Sequence, residues 1–478
     1  MTRAFQPRSN RTVSRWHHET DVLVVGLGCA GAAAAIDASG AGVRVTALER
    51  ASGPGGTSSM SGGVIYLGGG TALQTACGFE DSAEDMFKYL MASCGPNPDE
   101  AKIELYCEHS VEHYDWFVDH GLPFKATYYP HYSGEPPTDD GLVFSGSERA
   151  WPYCEIARPA PRGHVSQTPN QTGWLLMQKL SEALEKTDAE VFMDTRCKTL
   201  VVDDDGVVIG AVTQRDGEEF VIHAPRGVIV TTGGFINNDL MLDSYAPLLR
   251  RCKFRVGAEG DDGSGIRLGM SVGGAAVNMG MGSISLPIIP PKSLQKGILV
   301  NAQGQRFINE DAYYGLLGEH ALFRQEGKAY LVLDAETFVR PDVEREVAGV
   351  GETIEELEEA LGVPAGSLAA TLEVYNRYAE KGEDPLFHKQ REWIAPLRPP
   401  YGAFDCTTDN SLYAAFTLGG LKTTVDGEVL TADDEIIPGL YAAGRSTACL
   451  AAPGYSSGLS IGDGTFFGRR AGRKAAGA

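Results

Sequence analysis

No pair of cysteines at C-x-x-C spacing occurs in this chain, and its nine cysteines form no metal-like or disulfide-like cluster. They read as small apolar side chains in a reducing compartment. Basic residues are also short, 41 Lys and Arg against 63 Asp and Glu, a net charge of −22. A surface this acidic repels phosphate backbones and anionic headgroups, so no nucleic acid and no membrane are expected as partners. No apolar run reaches transmembrane length, and residues 1–20 lack the apolar core of a signal peptide. A cytoplasmic location and no membrane insertion are expected. His109 and His113 stand i, i+4 but have no Glu-x-x-His context or third ligand. No metal is expected, and a partly exposed helix face is the better reading.

What is abundant is glycine, 59 residues, beside 25 prolines in a chain of 478. In an otherwise ordinary globular composition such an excess points to tight turns and close backbone approach to a ligand. The length exceeds what one core supports, so two or three packed units are expected. After a polar arm (1–20), the run Asp21–Val25, the small residues Gly31–Ser39 and the run Val43–Glu49 read as strand, helix, strand. Alternating segments from 189 to 231 read as a β-meander returning to the main sheet. Residues 281–418 mix strand with helical stretches at 353–361 and 367–381 and are a candidate inserted unit. The expected division is therefore 21–280 and 419–478 for the first domain, with 281–418 inserted between them.

Gly26-Leu27-Gly28-Cys29-Ala30-Gly31 has G-x-G-x-x-G spacing after a strand and at the start of a helix. There the missing side chains admit a pyrophosphate to the helix N-terminus. Glu49, about 20 residues on, closes the next strand, where a carboxylate accepts bonds from a ribose. Three further small-residue places follow: the 55–63 loop GGTSSMSGG, the turn Thr231-Thr232-Gly233-Gly234, and Tyr441-Ala442-Ala443-Gly444. Glycine contacts from such distant segments imply an extended cofactor, FAD rather than NAD. No second G-x-G-x-x-G serves a nicotinamide, so a separate electron acceptor is expected.

These segments, with Gly304–Glu310, Gly439–Gly444 and Phe467-Gly468-Arg469, resemble the fumarate reductase/succinate dehydrogenase flavoprotein superfamily over nearly the whole chain. The resemblance implies an α/β fold, a Rossmann-like FAD-binding domain with an inserted α+β capping (substrate) domain. Expected FAD contacts are Gly26, Gly28, Ala30 and Gly31 in the first turn, then Glu49 and Arg50. The small-residue loop adds Gly56, Thr57, Ser58, Ser61, Gly62 and Gly63. Farther on stand Cys197, Gly233, Gly234 and Asp262, then Gly444, Arg445, Ser460 and Ile461. The 55–63 loop lacks the histidine by which some relatives bond FAD covalently, so non-covalent FAD is expected.

Dicarboxylate members of that superfamily carry cations in three segments that read here Asp311–Gly315, Ala415–Gly420 and Pro453–Gly458, with none. A carboxylate buried there would lack charge-assisted partners, which argues against succinate or fumarate. The run Gly454-Tyr455-Ser456-Ser457-Gly458 is similar instead to 3-ketosteroid dehydrogenases, in pattern nearest the Δ4-(5α) subgroup, which has Tyr-x-Ser here and a tyrosine after Asn-Glu-Asp. A small apolar ketone, a steroid, is then the expected substrate. Desaturation beside a ketone removes an α-proton and a β-hydride. The resemblance implies Tyr455 on the C3 oxygen, Ser457 as base toward C4 with Tyr313 assisting, and hydride passing from C5 to the flavin. Tyr314 is an alternative to Tyr313, because adjacent strand residues face opposite sides. Rival functions are a Δ1-ketosteroid dehydrogenase, a non-steroid enone reductase of the same fold, or an electron-transfer subunit.

Overall fold

Val22–Val25 (β1) is buried on both faces, as an uninterrupted run of Val and Leu requires at the centre of a parallel sheet. The computed structural model describes residues 5–131, 136–169, 172–451 and 454–478. From β1 the chain turns into helix α1 (Cys29–Gly40) and strand β2 (Val45–Leu48). The same sheet takes in β3 (Glu190–Phe192), β4 (Gly227–Val230), β5 (Glu428–Leu430) and β6 (Ile436–Ala442), in the order β5-β6-β4-β1-β2-β3. Its pairings are parallel except β5 with β6. Successive parallel strands end on the same edge, which is where an open α/β sheet binds its ligand.

The turn from β1 to α1 depends on glycine at two positions. Gly26 has φ +103°, and a Cβ on Gly31 would stand 1.8 Å from the Gly26 carbonyl oxygen. The closing helix of the chain, α3, follows a short helix α2 (Tyr314–Glu319) and spans Leu459–Ala476. It lies directly on α1: a Cβ at Gly468 or Gly472 would fall 2.4 or 2.3 Å from the carbonyl oxygens of Ala30 and Ala34. Gly468→Ala must therefore push the helices apart and is expected to destabilise by about 1–3 kcal/mol. A denaturant titration reads this as a lower midpoint, while Gly40→Ala, with nothing within 4 Å of the new carbon, should leave it unchanged. Equal midpoints would mean that the two helices separate freely.

The meander is antiparallel, Thr195–Val202, Val208–Arg215 and Glu218–His223. Arg8–Ser9 and His18–Glu19 pair in parallel with its outer strands, so the polar arm supplies sheet edges. Four antiparallel strands between residues 298 and 405 form a separate sheet, ordered 298–301, 329–334, 401–405 and 347–351. Helices Ile354–Leu361 and Ser367–Ala379 pack on it through Leu357, Leu361, Leu368 and Leu372. Among the described residues no helix is long and apolar enough to cross a membrane.

Candidate active site

One cavity of about 860 Å³ runs along the edge where β1, β2 and β4 end. That is the large end of ligand pockets, which span roughly 300–1,000 Å³. Its first half is lined by Gly26–Ala30, Leu48–Ala51 and the 55–64 loop, with Thr231–Gly233 and Gly444-Arg445. Gly26 and Gly28 put no side chain on this wall, the Gly26 amide donates to the Leu48 carbonyl at 2.8 Å, and the Cys29 amide donates to Ser58 Oγ at 3.1 Å. Glu49 accepts from the Leu27 amide at 3.0 Å and the Ala51 amide at 2.9 Å. One such bond lands on each carboxylate oxygen, leaving further lone pairs for a ribose.

Nearly every expected cofactor contact lies on this wall: Ala30, Arg50, Gly56, Thr57, Ser58, Ser61, Gly62, Gly63, Cys197, Gly233, Arg445, Ser460 and Ile461 join those above. Gly31, Gly234 and Asp262 do not line it. Gly31 is needed for the turn itself, and Gly234 gives room to Thr417 Oγ1, 2.4 Å from where a Cβ would stand. Asp262 turns away, held by Arg50 at 2.9 Å and the Ser264 amide at 2.9 Å. Its neighbour Asp261 faces the cavity instead and takes Arg445 Nη2 at 2.6 Å and the Thr57 hydroxyl at 2.8 Å. Two adjacent acidic residues carry no periodicity that tells which one faces in.

Two buried polar atoms of wall residues, Arg445 Nη1 and Ser460 Oγ, have no partner among the described residues. Both can donate to acceptors of the kind a dinucleotide offers, such as phosphate, hydroxyl and ring carbonyl oxygens. Together with the glycine turn and Glu49 they fit a bound FAD.

The second half of the cavity is lined by Phe254, Ser283, Ser285, Pro287, Tyr313, Tyr314, Leu412, Ala414, Phe416, Tyr455 and Ser457. No Lys, Arg or His lies in this set. Arg445 approaches it only over the Phe416 ring, at 5.2 Å, while paired with Asp261. Tyr455 packs edge-on against Phe416, and its oxygen accepts from the Ser460 amide in the first turn of α3, at 3.3 Å. Burial lifts the Tyr455 phenol above the ordinary tyrosine range, so it stays protonated and keeps its hydrogen to donate. Pro453 lies outside the described residues.

Ser457 is pinned by its backbone: its amide donates to the Ser145 carbonyl and its carbonyl accepts from Ser145 Oγ, both at 2.9 Å. Its hydroxyl lies 2.7 Å from the Tyr313 hydroxyl and 3.0 Å from that of Tyr314. The expectation that only one of these tyrosines faces in is thereby corrected. They are not on a strand: Tyr313 is the extended N-cap of α2 and Tyr314 its first residue, so their rings sit 4.3 Å apart on the same side. Behind them, Ser147 Oγ accepts from the Tyr313 amide at 3.1 Å and Tyr89 bonds the Ser456 hydroxyl at 2.9 Å. Sequence reading missed Tyr89 and Ser145, which lie 367 and 312 positions from the serines they hold, and Ser147, 166 positions from the Tyr313 amide it accepts from; none belongs to a motif.

The histidines stand apart from this site. His113 is fully buried rather than on a partly exposed face, bonded to Thr465 Oγ1 at 2.8 Å and facing Arg469. Desolvation holds it well below the usual histidine range and holds His164 at about 4. Among the described residues no three His, Cys, Asp or Glu side chains form a metal-binding group.

The FAD binding domain family matches residues 21–460, from the start of β1 through the first turn of α3. The chain belongs to that family. Among solved structures the chain is similar to a 3-ketosteroid Δ4-(5α)-dehydrogenase from Rhodococcus jostii RHA1, in complex with 4-androstene-3,17-dione. That structure is 45% identical, superposes with a TM-score of 0.94, and the match covers 99% of this chain and 100% of that one. A 3-oxo-5-alpha-steroid 4-dehydrogenase of Comamonas testosteroni is 30% identical over 90% of this chain and 93% of its own. The open conformation of a flavocytochrome c3 fumarate reductase is 25% identical with a TM-score of 0.67, covering 97% of this chain and 79% of that one. The family places this chain among FAD-dependent oxidoreductases with the fumarate reductase type of fold.

Proposed function

We propose that this protein is a FAD-dependent dehydrogenase that introduces the C4–C5 double bond into 3-keto-5α-steroids. The observation that carries the reading is the Ser457 hydroxyl between two tyrosine hydroxyls, in an uncharged and largely apolar half-cavity adjoining the FAD-binding turn. The relatives at 45% and 30% identity, named for this reaction, support it. FAD, when bound, supplies the acceptor for the hydride that leaves C5. The protein supplies the rest. Tyr455 donates to the C3 oxygen, where charge develops as the C4 proton departs. Its own oxygen is held by the amide at the N-terminus of α3, whose positive end favours that charge. Ser457 takes the C4 proton, backed by Tyr313. A lone serine is a weak base, so the proton it already carries must pass onward in the same step.

In this reading residues 281–418 cap the FAD domain formed by 21–280 and 419–478. Ser283, Tyr313, Tyr314 and Leu412 then face Tyr455 and Ser457 across the cavity. A steroid buries on the order of 300 Å² of apolar surface, a gross ~7 kcal/mol before association costs, so binding also draws on the C3 contact. FAD is held non-covalently and a separate acceptor reoxidises it.

Anaerobic mixing with a saturated 3-keto-5α-steroid is expected to bleach the flavin, and succinate to leave it yellow. Acid precipitation should release all of the FAD into the supernatant. Bleaching by succinate with none by any ketosteroid would reject the reading.

A further inference from the structure

We infer that Glu148 is a positioning residue for the dehydrogenation: it closes a ring of hydrogen bonds that keeps Ser457 aligned with Tyr313. The inference rests on the ketosteroid reading above and deepens it by naming what aligns the base. Residues 145–148 form one short loop that reaches both partners. Ser145 is bonded to Ser457 through its carbonyl and its hydroxyl, and Ser147 Oγ accepts from the Tyr313 amide at 3.1 Å. The Ser147 amide donates to the Tyr89 hydroxyl at 2.8 Å, which in turn meets Ser456 Oγ. Gly146 lies so close that a Cβ there would collide with both of those hydroxyls. The contact between Ser457 and Tyr313 joins residues 144 positions apart, and this loop is bonded to each of them.

Glu148 is what fixes the loop. One carboxylate oxygen accepts from the Gly146 amide and the other from the Tyr66 hydroxyl, both at 3.0 Å. The Tyr66 amide donates to the carbonyl of Gly458, the residue after Ser457, at 3.2 Å. The ring therefore closes: Glu148 to Gly146, Ser145 to Ser457, Gly458 to Tyr66, and back to Glu148. Tyr455 is held outside this ring, by the Ser460 amide and the Phe416 ring. Glu148 is buried, and that burial pushes its carboxyl above the ordinary carboxylate range despite the nearby Arg162 guanidinium. Arg162 is paired instead with Asp81, through bonds of 3.0 and 2.7 Å. Burying a carboxylate away from a cation costs stability, and such groups collect beside functional sites. Here it supplies two acceptors at fixed spacing, one for the loop and one for the strand that carries Gly458.

The test follows the FAD-loaded enzyme through single-turnover bleaching by a saturated 3-keto-5α-steroid, with rates taken per bound flavin. Glu148→Ala opens the ring at the loop, and Tyr66→Phe opens it at the opposite link. Each is expected to lower the limiting bleaching rate by roughly 10- to 100-fold, the scale of a misplacement of about 1 Å. The steroid concentration that gives half the limiting rate should change far less, because neither side chain lines the cavity. Glu148→Gln keeps both links, its oxygen accepting from the Gly146 amide and its NH₂ donating to the Tyr66 oxygen, and should restore most of the rate. In a Ser457→Ala background, Glu148→Ala should cause no further loss, since it acts through that hydroxyl, whereas losses at independent sites add.

A wild-type limiting rate in Glu148→Ala or Tyr66→Phe would overturn the inference. So would a loss that Glu148→Gln shares in full, or one that persists undiminished without the Ser457 hydroxyl. Should Glu148→Ala fail to retain FAD, Tyr66→Phe decides, because it leaves the carboxylate and its Gly146 bond in place. Each of these failures leaves the dehydrogenase reading standing. Failure of every ketosteroid to bleach the wild-type flavin would overturn both.

Discussion

Ser457→Ala is expected to lower steroid-dependent flavin reduction by roughly 10²- to 10⁴-fold, the usual contribution of a positioned general base. The loss should fall on the rate of bleaching at saturating steroid, since the apolar walls that bind the substrate are untouched. Exchange of the C4 hydrogen should disappear in parallel, because exchange and desaturation begin with the same proton abstraction. Ser457 meets Ser145 through backbone atoms that alanine retains, so FAD content and melting temperature should stay at wild-type values. Near-normal turnover in this variant would remove Ser457 from the chemistry and leave its two tyrosine contacts as packing.

Tyr455→Phe removes a single oxygen that accepts from the Ser460 amide and is left with a hydrogen for the substrate. It is expected to lower turnover by roughly 10²- to 10³-fold, as loss of one fixed donor to a developing oxyanion does. The ring still packs edge-on against Phe416, so substrate affinity should change much less than the rate. The split between rate and affinity is the informative measurement: weaker steroid binding with an unchanged limiting rate would make Tyr455 a binding contact only. The Ser460 amide, left without its phenol, sits in the first turn of α3 among wall residues. A small shift in the flavin absorption spectrum is therefore an acceptable companion result, whereas loss of FAD is not.

The cofactor half of the site was legible because its requirements are local. A pyrophosphate at a helix N-terminus demands glycine at fixed spacing after a strand, and Gly26, Gly28 and Gly31 meet that demand within six residues. Backbone geometry follows directly from such residues: Gly26 takes φ +103°, and Gly31 admits the Gly26 carbonyl. Glu49 could be named for the same reason, since the length of one βαβ unit determines where a second strand ends. The Tyr455 and Ser457 pair was readable as chemistry because its turn, like the segments 311–315 and 415–420, offers hydroxyls and no cation, which argues against a dicarboxylate.

Orientation was not readable in that way. Asp261 and Asp262 are chemically alike and adjacent, and only the left-handed turn at Gly263 and the pull of Arg50 send one inward and the other out. Tyr313 and Tyr314 were assigned opposite faces on the rule for a strand. The cap of a short helix breaks that rule and brings both hydroxyls to one serine 143 and 144 positions away. The buried supports of the site, Ser145 on Ser457, Tyr89 on Ser456 and Ser147 on the Tyr313 amide, lie in segments with no motif at all. Their role exists only once the chain has closed, because a hydrogen bond is satisfied by distance and angle in space and leaves no spacing in the sequence.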